Sequence, residues 1–332
     1  METRQDRYNG ARQKKLDQLK QLIAESENIV FLGGAGVSTE SGIPDFRSGE
    51  GIFNQETGFS FRAVDVVSHS FFVDHPEEFY DFYKKKLCYP DAKPNKAHKA
   101  LARLERQGKL KAIITQNIDC LHQMAGSKNT IELHGSVYRN YCVDCGKKYK
   151  LDFILNSEGI PRCTKCGGIV RPAVTLYEEN LEHDKVDAAI KAIKKADLMI
   201  IGGTSLKVYP AATFVQFLKH DRLVIINKSS THLDLQALLT IHDSIGEVLD
   251  YVVPKRRPRT TTAKTASKSV KTSASSKKTS AKADKKTVKE EKTASKPASK
   301  KTSSSSKKAS AKTSGTAKKT TVKRKTKASE KK

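Results

Sequence analysis

Four short aliphatic runs constrain this chain more than any other feature: "NIVFL", "LKAIITQN", "DLMIIGGTS" and "RLVIIN". Each run is nearly continuous instead of alternating with polar residues. A strand buried on both faces needs that pattern. Helical segments stand between the runs. "KKLDQLKQLIAESE" spaces Leu16, Leu19, Leu22 and Ile23 along one helical face. Pro76 to Lys86 and Asn95 to Gln107 read as helices, the second closed by Gly108. "DKVDAAIKAIKKA" and "PAATFVQFLKH", the latter opened by Pro210, read as two more. "TIELHG" reads as a further strand. This alternation predicts an α/β fold, a Rossmann-like doubly wound parallel sheet with helices on both faces. In such a sheet, ligands bind beyond the carboxyl ends of the strands. The segments "GGAGVSTESG", "TQNID", "HGS" and "GGTSLKVYP" all fall there, so they should converge on one cleft.

Charge divides the chain in two. Of 332 residues, 62 are Lys or Arg and 36 are Asp or Glu, a net +26. Lys255 to Lys332 holds 28 of those bases and 4 of those acids, a net +24, so residues 1–254 carry only +2. The last 78 residues contain no Leu, Ile or aromatic side chain. Such a segment buries too little apolar surface to offset its ordering entropy and is expected to be a disordered basic tail. The expected organisation is a catalytic domain over 1–254, with a small inserted module at about 138–171, followed by the tail over 255–332. No run of about 18 apolar residues exists, so nothing is expected to span a membrane. The polar start "METRQDRYNGARQKK" has no secretory apolar core, which points to the cytoplasm. A monomer is expected.

Four of the six cysteines form two C-x-x-C pairs, Cys142 with Cys145 and Cys163 with Cys166. Their separation falls within the C-x2-C-x15–20-C-x2-C spacing of zinc sites. Four thiolates complete a tetrahedral shell and leave no open position, so the expected ion is structural, not catalytic. Four unligated thiols, a redox pair and a nucleic-acid-binding zinc ribbon are the competing readings; Lys147, Lys148, Lys150, Arg162 and Lys165 favour the last.

In the expected cleft, Gly33, Gly34 and Gly36 permit a tight turn and close approach to a pyrophosphate. Ser38 and Thr39 add hydroxyls. A second small-residue turn, Gly202-Gly203-Thr204-Ser205, makes room for a ligand of dinucleotide size. Asn227 ends another strand as a ribose or base partner. The ribose-binding acid of hydride-transfer dehydrogenases is not evident about 20 residues past the glycines. Gln116, Asn117 and Asp119 read equally as a polar site or as an Asx-type helix start capped by Asp119. His134 stands at a strand end, where an imidazole can act as a base near neutral pH.

Taken in order, "GAGVSTESGIPDFRS", "TQNID", "LHG", the two C-x-x-C pairs, "RPAVTLYEENL" and "GTSLKVYP" resemble the sirtuin family of NAD-dependent protein lysine deacylases, of bacterial type. The resemblance covers roughly Lys14 to Tyr251. It implies transfer of an acyl group from a protein lysine to ADP-ribose, with release of nicotinamide and O-acyl-ADP-ribose. It further implies that Gly34, Ala35, Gly36, Thr39, Phe46 and Arg47 line the NAD loop, with Asp45 ordering it. Asn117, Ile118 and Asp119 would form the nicotinamide pocket, Asp119 holding the carboxamide, and Gln116 would contact the adjoining ribose. His134 would be the catalytic base. Gly203, Thr204, Ser205 and Asn227 would hold the phosphate and adenosine half, with Asp243 of "IHDS" near the adenine. The acyl-lysine peptide would add as a strand between Tyr177, Glu178 and Glu179 on one side and Lys207, Val208 and Tyr209 on the other. Where many sirtuins have Phe-Gly-Glu, this chain has Tyr177-Glu178-Glu179. The Tyr-x-x-Arg pair of desuccinylating relatives is replaced by Tyr83 with Lys86, which favours acetyl and other uncharged acyl groups.

The tail resembles that of a linker histone in composition. A chain of this charge neutralises phosphates without sequence preference, so DNA or RNA is the expected partner and nucleoid association follows. The alternatives are a mono-ADP-ribosyltransferase on the same scaffold and a nucleic-acid-binding protein with vestigial catalysis.

Overall fold

The computed structural model describes residues 4–58 and 60–255. The expected tail therefore lies, from residue 256 onward, outside the described residues. The strands are β1 (Ile29–Gly33), β2 (Leu110–Thr115), β3 (Thr130–Glu132), β4 (Gly135–Cys142), β5 (Lys148–Tyr149), β6 (Val170–Val174), β7 (Leu198–Gly202), β8 (Leu223–Ile226) and β9 (Leu239–Ile241). The α-helices are α1 (Arg4–Glu25), α2 (Ala63–Val66), α3 (His69–Asp74), α4 (Pro76–Phe82), α5 (Lys96–Arg106), α6 (Leu121–Met124), α7 (Leu151–Leu155), α8 (His183–Ile193) and α9 (Ile245–Val252).

Among the described residues, six strands form one parallel sheet in the order β3-β2-β1-β7-β8-β9. The α/β reading and its doubly wound sheet are borne out. Every residue of β1 and β7 is buried because the two faces of each strand meet different helices. Ile29 and Phe31 face a core built with Leu16 and Leu19 of α1, Leu101 and Leu104 of α5, and Val248 and Leu249 of α9. Val30 and Leu32 face the opposite core, with Ala189 and Ile193 of α8 and Phe214. Each such fully buried side chain contributes about 1.5–3 kcal/mol, and strict alternation would have left one face wet. Strand order reverses at β1, which has β2 on one side and β7 on the other.

A three-stranded antiparallel sheet, β5-β4-β6, carries the cysteine pairs. Its core is shared with α3 and α4. Phe71, Phe72, Phe79, Tyr80, Val137, Leu151, Ile154 and Val170 are buried together, and Tyr80 Oη donates to the Val170 carbonyl at 2.7 Å.

Two helices differ from expectation. The segment from Pro76 continues past Phe82 as a wider π turn over Tyr83–Leu87. Residues Ala211–Phe217 form a 3-10 helix instead of an α-helix. Thr213, Phe214, Val215 and Phe217 are β-branched or aromatic and lose rotamer freedom in an α-helix, so packing decides the local form.

Candidate functional site

The turns after β1, β2 and β7 meet in one cleft of about 1050 Å³ that also takes in His134, Tyr177 and Asp243. The convergence read from the four segments is therefore observed. How the turns meet is not legible in the sequence. The amide of Gly36 donates to the Gly203 carbonyl at 2.8 Å, and that of Gly34 to the Gly202 carbonyl at 3.3 Å. A Cβ on Gly36 would stand 2.8 Å from the Gly203 Cα, and one on Gly34 would stand 2.7 Å from the Thr204 Cβ. Gly203 has φ +59, and its own Cβ would strike the Val37 amide. These glycines are required first because two strand-end turns interlock, and only then because a ligand lies above them.

The turn after β2 is tightly held. Asp119 Oδ1 accepts from the Leu121 amide at 2.9 Å, as an Asx-type helix start should. Its Oδ2 accepts from Ser38 Oγ at 2.6 Å, and Ser38 Oγ accepts from Asn117 Nδ2 at 3.0 Å. Asp119 thus bonds the first helical amide with one oxygen and Ser38 with the other, while the N-cap position itself is Cys120. Burial pushes the Asp119 carboxyl above the usual range, against the bonds from Ser38 and the Leu121 amide. The role of Ser38 as the link between Asn117 and Asp119 was not legible in the sequence, since 81 positions separate it from its acceptor.

His134 lines the cleft between β3 and β4. Its Nδ1 lies 2.8 Å from the Gln116 carbonyl oxygen, so Nδ1 carries the proton and Nε2 is left with its lone pair. Burial lowers the pKa of this imidazole below its ordinary value; the Gln116 carbonyl opposes the shift.

Asn227, Asp243 and Asp45 line the cleft, and each is also held by a neighbour. Asn227 Oδ1 accepts from the Thr204 amide at 3.0 Å and its Nδ2 donates to the Thr204 carbonyl at 2.7 Å, so its side chain clamps the turn after β7. Asp243 lines the cleft, but its Oδ2 accepts from Arg12 Nε of α1 at 2.7 Å. Asp45 Oδ1 accepts from the amides of Arg47 and Ser48 at 2.8 and 2.7 Å, folding its own loop. Gln116 Nε2 reaches Thr204 Oγ1 at 3.2 Å, and Thr39 Oγ1 the Gly36 carbonyl at 3.1 Å. Ala35, Phe46, Arg47, Ile118 and Ser205 line the cleft.

On the peptide side, Tyr177 is paired within the chain. The Tyr177 amide donates to the Val67 carbonyl at 3.0 Å, and its carbonyl accepts from the His69 amide at 3.0 Å. Both backbone groups of Tyr177 thus have partners within the chain. Glu178 sits at φ 75, held by Ser70, whose amide and hydroxyl donate to its carboxylate. Glu179 is pinned by Arg171 Nη1 at 2.8 Å and by the Leu176 amide at 2.9 Å. Val208 is half-buried and Tyr209 exposed across the cleft.

The four paired cysteines place their sulfurs within 4.8 Å of one another, with Cys142 to Cys166 at 3.4 Å and Cys145 to Cys163 at 3.6 Å. Those separations suit a tetrahedral S4 zinc shell. Tyr149 Oη donates to Cys163 Sγ at 3.1 Å, as a partner behind a metal thiolate does. Cys88 is buried in apolar surroundings, which push its thiol up to about 12, and it takes no part. Among the described residues, no helix is long and apolar enough to cross a membrane.

Comparison with known proteins gives one answer. The pattern of the Sir2 family matches residues 34–210. The chain is 62% identical over 240 residues to an NAD-dependent protein deacetylase of Clostridium perfringens, covering 72% of this chain and 98% of that protein. It is 55% identical over 240 residues to one from Clostridium acetobutylicum, again covering 72% and 98%. A solved Sir2 structure with deacetylated p53 peptide and 3'-O-acetyl ADP-ribose superposes with a TM-score of 0.66 at 43% identity, covering 71% of this chain and 96% of that one. A Sir2 with p53 peptide and NAD+ superposes with a TM-score of 0.63 at 43% identity and the same coverage.

Proposed function

The chain belongs to the Sir2 family and is an NAD-dependent protein deacetylase; from that premise we propose that His134 is its general base and that Asp119, steadied by Ser38, receives the nicotinamide end. Bound NAD supplies a ribose carbon joined to a cationic leaving group, and the acetyl group of a protein lysine ends on ADP-ribose. At about 1050 Å³ the cleft has room for a ligand of dinucleotide size. The single observation that carries the assignment is the bond from His134 Nδ1 to the Gln116 carbonyl. It fixes the tautomer that leaves Nε2 free to accept a proton, and burial keeps that nitrogen neutral at physiological pH. The Asp119 carboxyl would accept from the carboxamide N–H of bound nicotinamide, with Asn117 and Ile118 lining the same pocket. Arg47 and the polar turn at Thr204 and Ser205 would hold the phosphates, and Glu178 and Glu179, opposite Val208, would receive the acyl-lysine segment. Asn227 acts on the phosphate half through the Thr204 backbone it clamps.

Replacing His134 by Ala should lower deacetylation of an acetyl-lysine peptide by about 10²- to 10⁴-fold while leaving thermal unfolding and ADP-ribose binding in place. Turnover within threefold of the native enzyme would remove His134 from the mechanism. The four-cysteine cluster would hold one structural zinc ion, a closed S4 shell that supplies no catalytic position. The basic tail, outside the described residues, is assigned to nucleic acid on its net charge of +24. That tether would keep the enzyme at the nucleoid of the cytoplasm.

A further inference from the structure

The loop over residues 45–54 is closed on itself. The Ile52 amide donates to the Asp45 carbonyl at 2.7 Å and the Phe53 amide to the Phe46 carbonyl at 3.0 Å. From this loop the guanidinium of Arg47 reaches across the cleft mouth, and its Nη2 donates to Tyr177 Oη at 2.9 Å. The same guanidinium lies 5.4 Å from the centre of the Phe53 ring, and the Phe53 and Tyr177 rings are 6.5 Å apart. Tyr177 itself is a fixed post, because both of its backbone groups are bonded to residues 67 and 69. A guanidinium has five N–H donors, so one bond to the phenol aims the fork and leaves donors for a phosphate or ribose oxygen.

Tyr177 is 38% exposed and its bond to Arg47 is exposed, so water competes for this bond in the free enzyme. A peptide laid along Glu178 covers it. Excluding water strengthens a charged hydrogen bond. We propose that Tyr177 is a positioning residue that couples the two substrates: peptide on the 177–179 segment tightens the Arg47–Tyr177 bond, and the cofactor loop then grips NAD more firmly. This rests on the peptide placement given under Proposed function.

The test measures the dissociation constant of ADP-ribose, which binds without reacting, with and without an acetyl-lysine peptide. The same titrations are run on the native protein, Tyr177→Phe and Arg47→Lys. Native protein should bind ADP-ribose about fivefold more tightly when peptide is present. Tyr177→Phe keeps the ring contact with Phe53 and removes only the hydroxyl, and its ratio should fall to about one. Arg47→Lys keeps the charge but loses the fork, and its ratio should also fall to about one. The double variant should show no further fall. A native ratio of one, or a Tyr177→Phe ratio equal to the native ratio, overturns the coupling. Peptide affinity is titrated separately. If peptide binds neither native protein nor Tyr177→Phe, the placement of the peptide fails instead. If peptide binds and the ratio does not respond to the hydroxyl, the coupling alone fails.

Discussion

At the scale of single residues, the site is a set of side chains that hold one another. Ser38 is the clearest case. It donates to Asp119 and accepts from Asn117, so removing it leaves a half-buried carboxylate and a buried amide each short of a partner. Ser38→Ala should cost about 10- to 100-fold in kcat/KM, the range for a lost hydrogen bond to a charged group. It should also move the acid limb of the pH–rate profile upward. The Ser38 bond opposes the burial that raises the Asp119 carboxyl, and without it the carboxyl binds a proton at higher pH. An unshifted limb would separate Ser38 from the charge state of Asp119. Residue types and order in the sequence were enough to nominate His134, Asp119 and the four cysteines. They could not show partners far along the chain. Asn227 was readable as a polar residue at a strand end, but not as the clamp on Thr204. Gly36 was readable as a tight turn, but not as the seat for Gly203.

At the scale of elements, the aliphatic runs were legible because burial on both faces leaves an unambiguous mark, whereas the 3-10 form of Ala211–Phe217 is decided by packing. One pair of elements carries a pH dependence of its own. His98 of α5 and His122 of α6 are buried with ring centres 4.7 Å apart. The Nε2 of His98 and both ring nitrogens of His122 have no hydrogen-bond partner among the described residues. Burial lowers the pKa of His98 to about 4, and burial with the neighbouring imidazole lowers that of His122 well below its ordinary value. The unfolded chain takes up these protons below about pH 6.5, and the folded chain refuses them until far lower. The stability they support is therefore complete above about pH 6.5 and is lost as the pH falls toward 4. The loss is about 1.4 kcal/mol per pH unit for each histidine over that window. Denaturant melts from pH 7.5 to 5 should show this slope, and His98→Leu should flatten it whatever its absolute stability. An equal slope in the variant would place the acid sensitivity elsewhere.

At the scale of the whole molecule, the parallel sheet and the cysteine-bearing sheet have separate cores. Cys142 and Cys163 belong to the second core, with Phe79 and Leu151, and none of the four cysteines belongs to the cores of the parallel sheet. Elemental analysis should find one zinc per chain. Stripping it with a chelator, or replacing Cys142 by Ala, should abolish deacetylation while amides of β1, β2, β7 and β8 stay protected from hydrogen exchange. Simultaneous loss of protection in both sheets would mean a single cooperative unit. The tail makes a separate prediction. Truncation after Pro254 should remove salt-sensitive binding to duplex DNA, whose affinity in the full chain should fall steeply between 50 and 200 mM salt, while peptide deacetylation is unchanged. Equal DNA affinity after truncation would assign binding to the folded part. The loop that follows β1 begins in one core, through Val37, and ends in the other, through Phe46 and Phe53. Its order is inherited from both. An oxidant or chelator that loosens the cysteine cluster will therefore silence the NAD loop without ever entering the cleft.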